Sequence, residues 1–481
     1  MDRKAVAAAR RRVRLGPSLW WALEVSLGSG DDNVEPFNAD RDLYWTTMTK
    51  KSSSPHFSPP KMPVPTSTDP PVNTQTVKVG ILGATGTVGQ RFISLLADHP
   101  WFIIHALGAS SRSAGKLYPQ AVNWKQTSPI PAVVRTLVVQ ECLPENFTDC
   151  AIIFSGLDAH VAGDIGEIIL FTSSISEDLT TRQKIWLLVR ISTITSSTLE
   201  ATFRNAELAV FSNAKNYRKD PQVPLVVPLV NTSHYSIIPQ QRSLRSPPLN
   251  KGFIVTNANC STTAFVIPLA ALEKSFGPIE SCMVTTMQAI SGAGYPGVSS
   301  LDIIDNVVPY IPGEEEKIEW ETLKILGGIE VTEEAATDGT TAKTLSFDMH
   351  RAHPLRISAS CNRVPVVDGH MECVSVRFAK RPPPSPQQVR EALVAYTPEV
   401  RTLGCPSAPR HAIFVHEEAD RPQPRLDRDY QRGAGVSVGR VRQCRVLDIK
   451  FVVLANNVCI GAATSSIINA EFALMKGFVS T

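Results

Sequence analysis

Residues 77–102 read "VKVGILGATGTVGQRFISLLADHPWF". The apolar run from Val77 to Leu82 has the length and β-branched content of a buried strand, and Gln90 to Ala97 repeats with a helical period. Between them stand Gly83, Gly86 and Gly89. Glycines at this spacing let the backbone turn sharply and approach a pyrophosphate, which then rests on the N–H groups of the helix start. A lone glycine triplet carries little weight. Between a strand and a helix at the head of a domain, it marks a dinucleotide site.

The next stretch, "FIIHALGASSRSAGK", bears on which dinucleotide binds. NAD-selective sites end this strand with an acid that holds the ribose 2′-hydroxyl. Here it ends in Gly108, Ala109, Ser110, Ser111, Arg112 and Ser113, with Lys116 beyond. Hydroxyls and cations suit a 2′-phosphate, so NADP is expected; the bland alternative is a solvated basic loop. Further on, "CAIIFSGLDAHVAGDIGE" and "AELAVFSNAKNYRKD" add short apolar strands among helical stretches, the doubly wound α/β pattern. Ser212, Asn213, Asn216 and Arg218 fall at a strand's carboxyl end, where such sheets bind ligands.

With 43% hydrophobic and 19% charged residues, the 481-residue chain reads as a soluble globular protein of two or three domains. A formal charge of +3 marks no nucleic-acid surface, and no apolar run is long enough to cross a bilayer. The nine cysteines are scattered, with no CxxC pair and no zinc spacing, so neither a disulfide framework nor a structural metal is expected, and a reducing, cytoplasmic setting is.

"GFIVTNANCSTTAFVIPLAAL", residues 252–272, places a cysteine where a strand ends and a helix begins. At a helix start Cys260 lies beside unpaired N–H groups that favour a thiolate. Two readings stand at this point, a nucleophile or a small buried apolar residue. Beyond it a strand over 283–288 ends in Gln288, and residues 291–297 hold three glycines, a composition that permits close backbone approach to a ligand. "GEEEKIEWETLKIL" starts a helix with Glu314 and Lys317 on one face, a spacing that is commonly no more than a solvated ion pair. "ISASCNRVPVVDGHMECVSVRF" reads as two strands joined at Asp368-Gly369, with Arg363 and His370 near the junction. A lone histidine there is more often structural.

In this order, "GATGTVG", "SNAKNYR", "TNANCSTT", "MQAISGAGYPG", "GEEEK" and "SASCNRVPVVDGH" resemble the aspartate-β-semialdehyde dehydrogenase family, its fungal and archaeal branch above all. The resemblance implies a Rossmann-type NADP-binding domain over 76–258, an α+β catalytic and dimerisation domain with a mixed sheet over 259–454, and a C-terminal helix, 455–481, that returns to the first domain. It implies NADPH-dependent reduction of L-4-aspartyl phosphate to L-aspartate semialdehyde with release of phosphate, on the way to threonine, methionine and lysine. Cys260 would then be the thioester-forming nucleophile, His370 the general acid/base, and Gln288 the residue that orients the acyl group. Arg363 would hold the substrate carboxylate and Glu314 its ammonium, Arg218 and Lys317 would bind phosphate, and Asn259 would complete the substrate site. Gly83, Thr85, Gly86, Thr87, Val88, Ser110, Ser111, Arg112, Ser291, Gly292, Gly294 and Asn457 would bind NADP(H). The implied partner is a second copy of the chain, as dimer or tetramer, with neither nucleic acid nor membrane.

Three features depart from the family pattern. Residues 1–75 are Pro/Ser-rich in their second half and basic at the start, with six basic residues and one acid in the first fifteen; they are expected to be a non-native or disordered extension rather than a mitochondrial presequence. Residues 168–202 lack Gly and Pro and are expected to be an aberrant insertion. Val458 follows Asn457 where relatives carry Thr. The alternatives are a related N-acetyl-γ-glutamyl-phosphate or malonyl-CoA reductase, or an inactive NADP-binding homologue.

Overall fold

The computed structural model describes residues 76–157, 196–335, 341–349 and 354–480, so the expectations for 1–75 and most of 168–202 fall outside the described residues. Six strands form the first sheet: β1 (Val77–Leu82), β2 (Phe102–Ala109), β3 (Val139–Glu141), β4 (Ile152–Ser155), β5 (Ala209–Ser212) and β6 (Phe253–Thr256). Their order is β3-β2-β1-β4-β5-β6, every pair parallel. That is the order of a dinucleotide-binding doubly wound sheet, whose central strands are buried on both faces and so carry continuous apolar runs. Helix α1 (Thr87–Leu96) follows β1 and buries Phe92, Ile93 and Leu96 against the sheet.

Helix α2 (Ser196–Asn205) overlaps the last seven residues of the expected insertion. Residues 196–202 belong to the folded domain, because Leu199, Glu200 and Phe203 are buried and Phe203 meets the Phe147 ring edge-on. Glu200 accepts a hydrogen bond from Ser212 Oγ at 2.7 Å, at the end of β5. Burial raises its carboxyl to about 7, against the pull of the Ser155 and Ser212 hydroxyls. A carboxyl raised on folding binds more protons in the folded state, so its contribution to stability is full at low pH and is lost as pH climbs from the ordinary glutamate value to about 7. Glu200→Gln is therefore expected to raise the melting temperature at pH ~8 by a few degrees while changing little near pH ~4. A melting curve shifted equally at both pH values would exclude the buried carboxylate as the cause.

The second sheet is mixed, in the order β10-β7-β11-β14-β13-β12. Its strands are β7 (Ile279–Gln288), β10 (Arg356–Arg363), β11 (His370–Phe378), β12 (Ile413–Val415), β13 (Val436–Gln443) and β14 (Ile449–Ala455). Strands β8 (Ile329–Ala335) and β9 (Thr341–Phe347) form a separate antiparallel pair. The two strands joined through Asp368-Gly369 are consecutive in the chain but not neighbours in the sheet. Strand β10 runs parallel to β7 and β11 antiparallel to it, so the link passes over the end of β7. It is fastened there by Ile290 N–H to Val366 O, 2.8 Å, and Ser291 N–H to Val367 O, 3.1 Å.

Helix α3 (Cys260–Phe276) joins the two sheets, since it follows β6 after a three-residue turn and packs on β7, β11 and β14. Helix α4 (Glu314–Leu326) packs on α3 and β10. Helix α5 (Thr464–Met475) returns to the first sheet and lies against β4 and β5. Tyr235 donates its hydroxyl to Asn469 O at 2.8 Å, and buried His99 Nε2 lies 2.8 Å from Glu471 Oε1. Among the described residues no helix is long and apolar enough to cross a membrane.

Candidate active site

Four strand ends converge on one edge of the second sheet. Gln288 closes β7, Arg363 closes β10, His370 opens β11 and Ala455 closes β14, and register sets Arg363 beside Gln288 and His370 beside Ala455. The β6–α3 turn brings Cys260 to this edge as the first residue of its helix. Asn259 caps that helix, its Oδ1 accepting from the N–H groups of Ser261 at 2.9 Å and Thr262 at 3.1 Å.

Cys260 Sγ lies 3.2 Å from His370 Nε2. Gln288 Nε2 donates to Ser261 Oγ at 2.6 Å and to Glu314 Oε1 at 2.9 Å; Asn259 Nδ2 donates to the same Glu314 oxygen at 2.7 Å. Lys317 Nζ reaches Glu314 Oε2 at 2.9 Å. Arg363 Nη1 donates to Ala289 O at 2.7 Å. Arg218 is bound one step further out, to Glu321 Oε1 at 2.8 Å and Asn213 O at 3.1 Å, and Glu321 Oε2 in turn accepts the Asn259 N–H at 2.6 Å. Gln288, Glu314, Asn259, Lys317 and, through Glu321, Arg218 thus form one hydrogen-bonded network, while the Cys260–His370 pair and Arg363 stand at the same strand ends.

Burial pushes the Cys260 thiol up to about 12, Glu314 adding to the rise and Arg363 and Arg218 opposing it. Burial thus acts against the thiolate that the helix start favours. Burial, joined by Arg363 and opposed by Glu314, pushes His370 down to about 3. Desolvation also works against ionised Glu314, but the Lys317 charge and the donors Lys317, Gln288 and Asn259 prevail and pull it to about 2. The thiol and the imidazole thus face each other, each pushed by burial toward its neutral form, beside a carboxylate whose donors favour its charge.

The nucleotide crevice opens at the carboxyl end of β1. Gly86 caps α1 without any side-chain bond, which leaves N–H groups around Thr85, Thr87 and Val88 for an anion. Ser110, Ser111 and Arg112 begin the turn after β2, and no acid stands at that strand's end. Lys116 is turned back, its Nζ donating to Arg112 O at 2.8 Å. A Cβ on Gly89 would collide with the Gly83 carbonyl oxygen, so the tight turn requires glycine there. Ser291 and Asn457 meet across the elements, Asn457 Nδ2 donating to Ser291 Oγ at 2.9 Å while its Oδ1 accepts the Gly369 N–H at 2.9 Å. Gly292 covers the catalytic pair, since a Cβ there would lie 2.9 Å from Arg363 Nη1 and 3.0 Å from His370 Nε2. Gly294 follows in the same loop with φ 73°.

Residues 78–185 match the family described as "Semialdehyde dehydrogenase, NAD binding domain", and residues 269–460 match "Semialdehyde dehydrogenase, dimerisation domain". The chain is similar to the aspartate-semialdehyde dehydrogenase of Cryptococcus neoformans, with 57% identity over 405 residues, 84% of this chain and 98% of that one. The chain belongs to the aspartate-semialdehyde dehydrogenase family. The Trichophyton rubrum aspartate-semialdehyde dehydrogenase is 51% identical over 404 residues, 84% of this chain and 98% of its own. A crystal structure of the Candida albicans aspartate semialdehyde dehydrogenase with NADP superposes with a TM-score of 0.68 and 47% identity, over 84% of this chain and 100% of that one.

Around this aspartate-semialdehyde dehydrogenase site stand residues that sequence reasoning missed. Glu321 and Lys324 share the inward face of α4 with Glu314, and Lys324 Nζ donates to the carbonyls of Arg218, Asp220 and Val223 at 2.8, 3.0 and 3.0 Å. Their positions seven and ten residues after Glu314 were legible as one helical face. Glu372 shares His370's side of β11 and is fully buried, and burial lifts its carboxyl well above the glutamate range against the Ser261 hydroxyl. The alternation of β11 gives that direction from sequence, but not the burial of an acid.

Proposed function

We infer that the chain carries out the NADPH-dependent reduction of L-4-aspartyl phosphate to L-aspartate semialdehyde and phosphate, reversibly, through a thioester on Cys260. The observation that carries this reading is the Cys260–His370 contact of 3.2 Å with Gln288, Glu314 and Arg363 around it. A thiolate both attacks an acyl carbon and leaves it readily, which phosphate-for-hydride exchange requires. Gln288, held by Ser261 and Glu314, orients the acyl group. His370 handles charge at Sγ and at the acyl oxygen. Arg363 takes the substrate carboxylate in a two-pronged contact, ionised Glu314 attracts the free ammonium, and Arg218 and Lys317 answer the phosphate.

The crevice fits NADP(H): an uncapped helix start, a glycine turn that admits no side chain, and hydroxyls with a cation at the end of β2. Gly83, Thr85, Gly86, Thr87 and Val88 would hold the pyrophosphate, Ser110, Ser111 and Arg112 the 2′-phosphate, and Ser291, Gly292, Gly294 and Asn457 the nicotinamide end. Bound there, the dinucleotide supplies the hydride. Gly89→Ala is expected to weaken NADP(H) binding by at least about a hundredfold, because the Gly83 carbonyl has to move and two or so backbone bonds to phosphate go with it. Titration of nicotinamide fluorescence measures it, and an unchanged affinity would exclude this turn as the pyrophosphate cradle.

The partner of the assembly would be a second copy of the chain, in a dimer formed through the mixed sheet of the dimerisation-domain match, and the setting would be cytoplasmic. The test is NADP⁺ reduction with L-aspartate semialdehyde. Turnover is expected only with phosphate present and only when the substrate amine is free. Equal turnover of an N-acetylated substrate would favour the N-acetyl-γ-glutamyl-phosphate reductase reading instead.

A further inference from the structure

Glu314, Lys317, Glu321 and Lys324 follow one another along α4 in steps of three and four residues, and so share one face of the helix. The first two stand in the site, and the third holds the Arg218 guanidinium. Lys324 is different. It is 2% exposed, and its Nζ donates to three backbone carbonyls, those of Arg218 at 2.8 Å, Asp220 at 3.0 Å and Val223 at 3.0 Å.

Those carbonyls belong to the segment that carries Arg218. The segment leaves β5 at Ser212 and returns to the sheet at Leu225, which pairs with Thr256 of β6. Between these points it folds into tight turns, with Arg218 N–H to Lys215 O at 3.3 Å, Asp220 N–H to Tyr217 O at 3.1 Å and Val223 N–H to Asp220 O at 3.3 Å. Such bonds set a local shape without fixing where the segment stands against α4. Gln240 and Gln241 grip it at Gln222, on the side chain and the carbonyl, each at 2.8 Å. Lys324 takes hold at Arg218 itself. With Glu321 2.8 Å from the guanidinium, one helix face holds both the backbone and the fork of this arginine.

Three carbonyls that converge on one atom ask it for three N–H donors, which among side chains only an ammonium supplies. The charged or titratable groups around it are Arg218 and Asp220 from the segment, Glu321 from α4 and His234 from the turn Thr232–Ile237. The Phe347 ring of β9 is centred 4.2 Å from Nζ. Burial lowers the ammonium to about 8 against the pull of Asp220 and Glu321, so near neutrality it keeps its charge and all three donors. Desolvation offsets most of what such contacts add to stability, and what remains is a fixed geometry.

We propose that Lys324 is a positioning residue of the phosphate subsite, clamping the 213–224 segment by three carbonyls so that Arg218 meets phosphate in one fixed position. This rests on the reading of Arg218 as a phosphate ligand. Lys324 itself touches neither substrate nor cofactor, and its whole effect is on where the guanidinium stands.

The experiment is steady-state NADP⁺ reduction by the full chain near neutrality, with L-aspartate semialdehyde saturating and inorganic phosphate varied. Lys324→Met keeps the apolar stem and removes all three donors, whereas Lys324→Gln keeps two. The KM for phosphate is expected to rise about tenfold in the methionine variant and less in the glutamine one, with kcat and the KM for the aldehyde within about threefold of the parent. A phosphate KM equal to the parent's, or a loss spread evenly over the three constants, would overturn the proposal. Should the methionine variant not fold, the glutamine variant carries the same comparison. A double-variant cycle reads whether the effect runs through Arg218. Arg218→Gln alone is expected to raise the phosphate KM about a hundredfold, and a Lys324 substitution added to it to change that by less than about twofold. Losses that multiply in full would overturn positioning through Arg218. An unchanged phosphate KM in Arg218→Gln would remove Arg218 from the phosphate and take the proposal with it, whereas a rise there with none in the Lys324 variants would sink the clamp alone.

Discussion

Cys260→Ser is expected to lower phosphate-dependent NADP⁺ reduction by roughly four orders of magnitude, and Cys260→Ala by at least as much. The serine hydroxyl would occupy nearly the same place, at the first position of α3 and next to His370 Nε2. What fails is chemistry. An alkoxide is formed with difficulty near neutrality, and once acylated it is a poor leaving group, so both halves of the exchange slow. The surroundings do not rescue it, since a buried site that pushes a thiol to about 12 disfavours a still more basic oxyanion. Neither variant removes a buried charge, so melting temperature and NADP(H) affinity are expected to stay close to those of the parent chain. A serine variant that retained more than about a tenth of the parent rate would remove Cys260 from the nucleophile's role.

Glu321→Ala is expected to destabilise the chain by about 3–5 kcal/mol and to abolish useful activity at the same time. The side chain is fully buried and does two jobs with its two oxygens, holding Arg218 at 2.8 Å and the Asn259 N–H at 2.6 Å. Removing it leaves the Arg218 guanidinium largely out of water without a counter-charge, and leaves the helix cap before Cys260 unsupported. On a structure of this size the melting temperature should fall on the order of 10 °C. Glu321→Gln is expected to recover only part of the folding and little of the turnover, because its single carbonyl oxygen can replace one of the two acceptors, its NH2 group faces a donor at the other, and the arginine charge is no longer balanced. Calorimetry with phosphate-dependent kinetics separates the two effects. If the alanine variant melts within a degree or so of the parent, the pair contributes through water rather than through the buried contact.

The first sheet could be read from sequence because its strands are buried on both faces and leave unbroken apolar runs, so that Val77–Leu82 and Phe253–Thr256 match the structure residue for residue. The second sheet was harder. Strand β7 begins at Ile279, four residues before the expected start, because Glu280 and Ser281 at its half-open edge carry no apolar signal. The crossover that puts β7 between β10 and β11 has no local signature, since a turn at Asp368-Gly369 fits a hairpin equally well. At the site, local spacing revealed each chemistry-bearing side chain but not what it touches. Arg218 looks like a free cation in "SNAKNYR", and only the fold brings it to Glu321, 103 residues away.

The return of α5 to the first sheet has a consequence for the order in which the protein is made. A chain leaves the ribosome from its amino end, yet β4 and β5 receive one of their covering helices only when residues 464–475 emerge. Until then the nucleotide-binding half exposes the apolar surface that α5 covers, and Tyr235, Asn257 and His99 lack the partners Asn469, Ser466 and Glu471. The first domain to be translated is thus the last to be completed. A nascent chain that has emerged from the ribosome as far as residue 463 would have its second sheet whole and its first open, the kind of surface that chaperones bind.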